Sequence, residues 1–426
     1  MEKIFFLKIF LNFLKKNKIK NKVMKVTTDK KLIEELLDKG VEKIYPSRDE
    51  LKKKLESGER IRLYCGFDPT APSLHIGNAI CINKLSQFQA LGHEVIFLIG
   101  SFTAAIGDPT DKAAARVKIT RETIEENLKT YQKQAESYFN LSGDNPALVK
   151  YNSEWNDKLN FKDLIELSSH FTVQQMIQRD MFQKRLAEEK PVFLHEFLYP
   201  LTQAYDSVVM DVDLEIGGND QMFNMMCGRD LMKSMGKKDK CVMTLKLLAD
   251  ENGKKMGKSE GNAVFLDGEA EDIYGAVMSW SDGYILPAFE LATKFTLAEV
   301  AEIKKQLEAG ENPRNLKMKL AFEITKLVHG EEASSRAQEN FISTVQNKEI
   351  PDDIQLVKIK ADKIGIVEAL TETGLVPSKS DARRMIKQGA VKLDGEIVVD
   401  EKMEIDLASE KLIQKGKRGF IKIIKA

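Results

Sequence analysis

IRLYCGFDPTAPSLHIGNAICINKLSQFQALGHEVIFLIG, Ile61 to Gly100, decides how this chain folds. Ile61 to Phe67 read as a short strand, Pro69 and Pro72 break it, and apolar residues of helical spacing run from about Leu74 to Leu91 until Gly92 stops them. Ser73 is expected to cap that helix. Glu94 to Ile99 follows as an unbroken apolar run, the pattern of a strand covered on both faces. Strand, helix, strand predicts a parallel crossover.

The alternation continues outward from that unit. A helix is expected near Arg121 to Phe139, a strand near Ala147 to Tyr151, two helices within Phe161 to Arg185 and another over His195 to Met210. Strand Val212 to Ile216, helix Asp220 to Met235 and strand Val242 to Leu247 complete the series. The fold class is therefore α/β, a doubly wound, Rossmann-like parallel sheet over residues 25–265 with an inserted helical segment. From Glu269 to about Gly330 the apolar spacing is helical only, which gives a small helical domain over 266–345. A polar linker is expected over 346–362 and a compact α+β module over 363–426.

Bulk properties exclude several classes. The 426 residues are 42% apolar and 31% charged, enough for one large core and two to four domains. Lys and Arg number 65, as do Asp and Glu, so attraction for polyanions must come from local patches. Cys65, Cys81, Cys227 and Cys241 form no C-x-x-C pair or Cys/His grouping, which argues against a structural metal and suits a reducing, cytoplasmic compartment. Residues 1–24 carry seven lysines, one acid and an apolar stretch from Ile4 to Leu14 broken by Lys8, too short to span a bilayer. They read as a poorly ordered basic extension, with a membrane-surface helix as the alternative, and no membrane partner is expected.

Three constellations carry chemistry. YCGFDPTAPSLHIGN, Tyr64 to Asn78, puts a histidine and a glycine in the first helical turn after a parallel strand. Unpaired N–H groups there bind anions, and Gly77 lets a nucleotide approach the backbone. An ordinary surface histidine is the alternative for a lone H-x-G. ENGKKMGKSEGN, Glu251 to Asn262, resembles a phosphate loop, but Asn252 stands where a Walker A motif needs glycine. What remains is a polar loop with Lys254, Lys255, Lys258 and Ser259, suited to closing over a polyphosphate or simply a solvated lysine loop. In HEFLYPLTQAYD, Tyr199, Gln203 and Asp206 share one helix face, although Pro200 predicts a kink or a late helix start. Asp220 and Gln221 open the next helix after IGG.

Together these segments resemble the class I aminoacyl-tRNA synthetases, with HIGN for the HIGH signature and KMGKS for KMSKS. YCGFDPTAPSLHIGN, IGDPT, YPLTQAYD and IGGNDQ are similar to the bacterial tyrosyl branch, and the resemblance runs from about residue 30 to the C-terminus. It implies that L-tyrosine is activated with ATP, magnesium accompanying the nucleotide, and passed to tRNA(Tyr) by a homodimer. By the same resemblance Tyr64 and Asp206 hold the phenolic hydroxyl, Asp108, Tyr199 and Gln203 the amino group, and Gln221 lies near the carboxylate. Cys65, Gly66, Asp68, Gly77, Gly218 and Asp220 would line the nucleotide, Thr70, His75 and Asn78 would meet ATP, and Lys112, Arg116, Lys255, Lys258 and Ser259 would grip the pyrophosphate. A buried carboxylate and phenol left unpaired by phenylalanine penalise it; tyrosyl enzymes are themselves the standard example of this rejection, so its size is not inferred from this chain.

Three positions depart from the pattern: Asn78 for the second His of HIGH, Gly257 for the first Ser of KMSKS, and Glu215, which is Gln in some members. The module VPSKSDARRMIKQGAVKLDGEIV resembles an S4 RNA-binding domain, with Asp394-Gly395 as a hairpin turn and Arg383, Arg384 and Lys387 crowded on one helix as RNA contacts. From Pro377 onward twelve basic residues face eight acidic ones, a local excess that favours phosphate contacts. Rival readings are a tryptophanyl enzyme, an RNA-binding paralogue without activity, and a simple nucleotidyltransferase of the HxGH type.

Overall fold

In the computed structural model residues 25–110, 119–250, 253, 256, 263–343, 354–416 and 419–426 are described. The basic extension 1–24 lies outside them, as do Lys112, Arg116, Lys255, Lys258 and Ser259. Up to residue 250 the chain runs through α1 (Lys30–Asp38), β1 (Val41–Tyr45), α2 (Arg48–Glu56), β2 (Arg62–Phe67), α3 (Ile76–Ala90) and β3 (Glu94–Ile99). After short helices come β4 (Leu148–Tyr151), further short helices, α4 (Leu194–Met210), β5 (Leu214–Gly218), α5 (Met222–Ser234) and β6 (Cys241–Leu245).

The strands form one sheet in the order β1-β6-β5-β2-β3-β4. All neighbours are parallel except β1, which pairs antiparallel with β6 at one edge. The chain moves outward from β2 through β3 to β4, then returns to place β5 on the other side of β2. That reversal is the switch point at which open parallel sheets bind ligands, outside the carboxyl ends of their strands. Register sharpens it: β2 pairs with β3 as far as Phe67 and Ile99, but with β5 only at Leu63–Leu214 and Tyr64–Glu215. Beyond that last pair the ladder opens, leaving backbone and side chains free to meet something other than the neighbouring strand.

The apolar run of β3 is buried from Val95 to Ile99, as a strand covered on both faces requires. On one face Tyr64, Ile96 and Leu98 pack with Ala204 and Val208 of α4 and with Cys227 and Leu231 of α5 in a single apolar cluster. A phenol thus sits inside hydrocarbon, a position that demands a partner for its hydroxyl.

Helix α3 begins at Ile76 with His75 at its N-cap, so the expected Ser73 cap is corrected. Leu74 and His75 are held extended: His75 bridges Phe265, the Ile76 N–H donates to the Val264 carbonyl, and the Leu266 N–H donates to that of Leu74. Ser73 instead hydrogen-bonds Asp267. Pro200 lies buried within α4 rather than at its start, and the helix runs from Leu194 through it.

The first unit takes in residues up to Glu269 together with Ala276–His329, which include α6 (Ile285–Ala292), α7 (Leu297–Glu308) and α8 (Pro313–His329). Thr296 caps α7 in a reciprocal pair with Glu299. The second unit takes in Ala270–Gly275 and Gly330–Ala426. Its strands are β7 (Leu356–Ile359), β8 (Lys363–Gly365), β9 (Val391–Leu393), β10 (Glu396–Ile397), β11 (Glu404–Asp406), β12 (Lys411–Lys415) and β13 (Gly419–Lys425), with α9 (Ile366–Glu372) and α10 (Lys379–Lys387). The larger sheet has the order β10-β9-β12-β13-β7. Because β7 pairs parallel with β13, this sheet begins at Leu356, inside the stretch 346–362 read as linker. Asp394 and Gly395 both take positive φ (49° and 91°) between β9 and β10, the geometry of a two-residue hairpin that matches strand twist.

No helix among the described residues is long and apolar enough to cross a membrane.

Candidate active site at the strand switch

Tyr64 is the last β2 residue paired with β5, and its ring is fully buried. Its hydroxyl lies 2.9 Å from Ser207 Oγ of α4. Burial, and after it the nearby carboxylates of Glu215 and Asp206, push this phenol well above its ordinary pKa, so it stays protonated. Asp206, next in the helix, is only 2% exposed. Its carboxylate accepts from Trp155 Nε1 at 2.7 Å and from the side-chain amides of Asn152 and Asn156, each at 3.1 Å. Burial raises its pKa to about 7, against the downward pull of those three donors.

The donors come from a segment whose role the motifs did not reveal. NSEWN, Asn152 to Asn156, follows directly on β4 and turns into a short helix at the carboxyl edge of the sheet. Asn152 also donates to Thr103 Oγ1 at 3.0 Å, Thr103 donates to Asp68 Oδ1 at 2.7 Å, and Tyr199 donates to Asp68 Oδ2 at 2.8 Å. One polar network therefore joins Asp206 to Asp68 and Tyr199. Asp68 is half-buried as a residue, with its carboxylate turned inward, and desolvation lifts it to about 7. Gly100 makes this possible, since a Cβ there would stand 1.9 Å from Asp68 Oδ1.

On the other side of the switch Gln221, at the entrance to α5, donates from Nε2 to Asp108 Oδ2 at 2.6 Å and to Thr110 Oγ1 at 3.1 Å. Asn224 donates to Gln221 Oε1 at 2.9 Å, so the amide has a fixed orientation. Gln203, one turn before Ser207, donates to Glu215 Oε1 at 2.9 Å. These residues thus fall into three hydrogen-bonded groups around the ends of β2, β3 and β5: Asp206 with Tyr199, Tyr64 with Gln203 through Ser207 and Glu215, and Asp108 with Gln221.

The HIGN turn stands beside them. Asn78, third residue of α3, accepts the His75 backbone N–H through Oδ1 at 3.1 Å, so at this position Asn caps the helix and leaves its amide nitrogen to donate. The His75 ring lies over Gly77, where a Cβ would come within 2.8 Å of Cε1; only glycine fits beneath it. The Met256 carbonyl is 4.0 Å from that same point, and Met256 N–H donates to the Leu248 carbonyl at 2.7 Å. Met256 is thereby held between Leu248 and the start of α3, and Val264 to Leu266 are tied to Leu74 and Ile76 by hydrogen bonds. Thr70 N–H closes a tight turn on the Asp68 carbonyl at 2.8 Å, and a Cβ on Gly218 would lie 2.4 Å from Asp220 Oδ1. Cys65 is buried in β2, and Gly66 is exposed on it.

With that geometry in view, similarity to known proteins has a physical counterpart. Residues 54–346 match the family model of the class I tRNA synthetases (W and Y). The chain belongs to that family. In this class I synthetase residues 346–423 match the tyrosine–tRNA ligase SYY-like C-terminal domain. The tyrosine–tRNA ligase of Desulfotalea psychrophila is 45% identical over 89% of this chain and 94% of its own length, and that of Thermotoga maritima 41% over 88% and 94%. The fold is shared with a mitochondrial tyrosyl-tRNA synthetase of Aspergillus nidulans (TM-score 0.62, 22% identity, 72% of this chain and 92% of that one). It is shared too with the L-tyrosine-complexed tyrosyl-tRNA synthetase of Archaeoglobus fulgidus (TM-score 0.57, 20% identity, 73% and 100%).

Among the described residues no group of three or more His, Cys, Asp and Glu side chains could hold a metal ion. The RNA-contact candidates Arg383, Arg384 and Lys387 are exposed on α10 of the second unit, opposite its buried Ala382 and Ile386. Arg384 is paired with Asp381 at 2.6 Å and Lys387 approaches Glu401 at 4.0 Å.

Proposed function

We propose that the polar floor between β2 and β5 receives the side chain of L-tyrosine while ATP lies along the HIGN turn. The observation that carries this reading is Asp206, a buried carboxylate held by three N–H donors and one residue from the serine to which Tyr64 is bonded. Such a carboxylate is costly to bury without a purpose, and a phenol that donates to it while accepting from Tyr64 supplies one. Tyr199, Gln203 and Asp108 take the substrate's ammonium, and Gln221 faces its carboxylate.

The carboxylate oxygen of tyrosine attacks the α-phosphorus of ATP, the bond to the bridging oxygen breaks, and pyrophosphate leaves with the electron pair. A hydroxyl of the 3′-terminal adenosine of tRNA(Tyr) then attacks the tyrosyl carbonyl, and AMP departs. No side chain forms a covalent bond; the protein contributes alignment and tighter binding of the transition state. The positive end of the α3 dipole faces the phosphates, with His75, Asn78 and Thr70 beside it and Cys65, Gly66, Asp68, Gly218 and Asp220 along the nucleoside. Lys112, Arg116, Lys255, Lys258 and Ser259 take the pyrophosphate end. Magnesium enters with ATP as its chelate and is part of that substrate.

The second unit contacts tRNA as an S4-type module through Arg383, Arg384 and Lys387. A homodimer is supported by apolar side chains left exposed between Phe161 and Leu194, among them Phe161, Ile165, Val173, Phe193 and Leu194, the last 85% exposed. Four free cysteines fit a cytoplasmic setting. The test is ATP–pyrophosphate exchange with tyrosine, phenylalanine and tryptophan in turn. Exchange with tyrosine alone is expected; exchange led by tryptophan, or none from folded protein, contradicts the reading.

A further inference from the structure

Beneath the proposed tyrosine site lies an ion pair that the reaction itself does not call for. Lys240, the residue before β6, has no solvent exposure, and its ammonium is paired with Glu215 of β5, itself 2% exposed. The same Nζ donates to Ser207 Oγ at 2.9 Å. Gly228 of α5 makes the room: a Cβ there would stand 2.4 Å from Nζ and 2.8 Å from Ser207 Oγ. Four elements thus converge on one buried cation. A buried pair of this kind stabilises a fold no better than hydrocarbon of the same volume, while removing one partner alone strands an uncompensated charge. Stability is therefore a poor reason for its presence.

Its contacts point to a better one. An ammonium only donates and a carboxylate only accepts, so the pair imposes a direction on every hydrogen bond that touches it. Glu215 Oε1 takes the Gln203 amide nitrogen at 2.9 Å, which turns the Gln203 carbonyl oxygen away from Glu215. Ser207 Oγ accepts from Lys240 and has one proton of its own to give. Tyr64 Oη is 2.9 Å away and Glu215 Oε2, already engaged by Lys240, is 3.4 Å away. Ser207 donates to Glu215 in the longer contact and either hydroxyl can donate in the shorter one, so Lys240 and Glu215 together fix the Ser207 hydroxyl against which Tyr64 rests.

We propose that Lys240 is a positioning residue for tyrosine recognition: through Ser207 it holds in place the Tyr64 hydroxyl that faces the substrate phenol, and through Glu215 it presents the Gln203 carbonyl to the substrate ammonium. The inference rests on the tyrosine reading above and extends it to residues that do not touch the substrate.

Full-length protein is compared with Ser207→Ala and Lys240→Gln in tyrosine-dependent ATP–pyrophosphate exchange, with KM for tyrosine and for ATP measured separately and phenylalanine run as competitor. Each variant is expected to raise KM for tyrosine about tenfold and to lower tyrosine-over-phenylalanine preference by a similar factor, with KM for ATP within about twofold of wild type. Unchanged KM for tyrosine and unchanged preference in a folded variant overturn the proposal. An equal rise in both KM values also overturns it, because that marks general loosening. Ser207→Ala leaves the ion pair intact and carries the test if Lys240→Gln fails to fold. Failure of the wild-type protein to exchange with tyrosine would instead strike the parent reading.

Discussion

The polar floor under β2 and β5 and the basic face of α10 carry charge in opposite ways. In the first, Asp206, Glu215 and Lys240 are nearly or wholly sealed from water, and each has its partners within the protein. In the second, Arg383, Arg384 and Lys387 stand in solvent, and the ion pair of Arg384 with Asp381 is the kind that water and salt reduce to less than about 1 kcal/mol. The difference teaches what each region can recognise. A dry, fully bonded floor distinguishes one hydroxyl from none, because any ligand atom that fails to pair leaves a group stranded. A wet basic face recognises the density of phosphate and little else.

The largest effect should come from breaking the dry side. Asp206→Ala strands the N–H donors of Trp155, Asn152 and Asn156, and tyrosine-dependent exchange is expected to fall about a thousandfold, with a loss of about 3 kcal/mol in unfolding free energy. Exchange kinetics and a denaturant titration read both. Second comes pH. Asp206 titrates near 3.8 when unfolded and at about 7 when folded, so its charged form opposes folding. This penalty is absent below the unfolded pKa and complete above the folded one. Stability relative to Asp206→Asn should therefore rise by about 2–3 kcal/mol as pH falls from 8 to 5. Paired denaturation curves at the two pH values give the difference, and a constant gap would show that Asp206 carries no such penalty.

Tyr64→Phe is a smaller change, since Ser207 keeps Lys240 as a partner. KM for tyrosine should increase about tenfold with kcat nearly unchanged. The smallest effects belong to the wet side. Arg383→Ala should weaken tRNA binding about threefold and lower the slope of log affinity against log salt by roughly 0.7 to 0.9, while exchange, which needs no tRNA, stays at its wild-type rate. A filter-binding series over salt concentration measures the slope.

Much of this contrast was legible in the chain. The strand–helix–strand reading of Ile61 to Gly100 gave the crossover, and IGGNDQ marked the far side of the switch. The shared face of Tyr199, Gln203 and Asp206 survived Pro200 because α4 continues through it. The partners of these residues were not legible. Asn152, Trp155 and Asn156 meet Asp206 across some fifty positions, and local periodicity carries no signal for pairings of that length. Lys240 was hidden differently: GKKDK, Gly236 to Lys240, reads as a solvated turn, and Lys237 and Lys238 are indeed exposed. Only the paths of β5, α4 and α5 turn its last lysine inward. Ser73 misled because a good capping residue lies two positions before the true N-cap, where pairing with Val264–Leu266 keeps the backbone extended.

The central claim is that a prearranged phenol and carboxylate at the point where β2 parts from β5 recognise a phenolic hydroxyl. A crystal structure of the protein with L-tyrosine tests it most directly. The account predicts the substrate oxygen within hydrogen-bond distance of both Tyr64 Oη and the Asp206 carboxylate; tyrosine bound elsewhere, or bound here with its ring reversed, would contradict it.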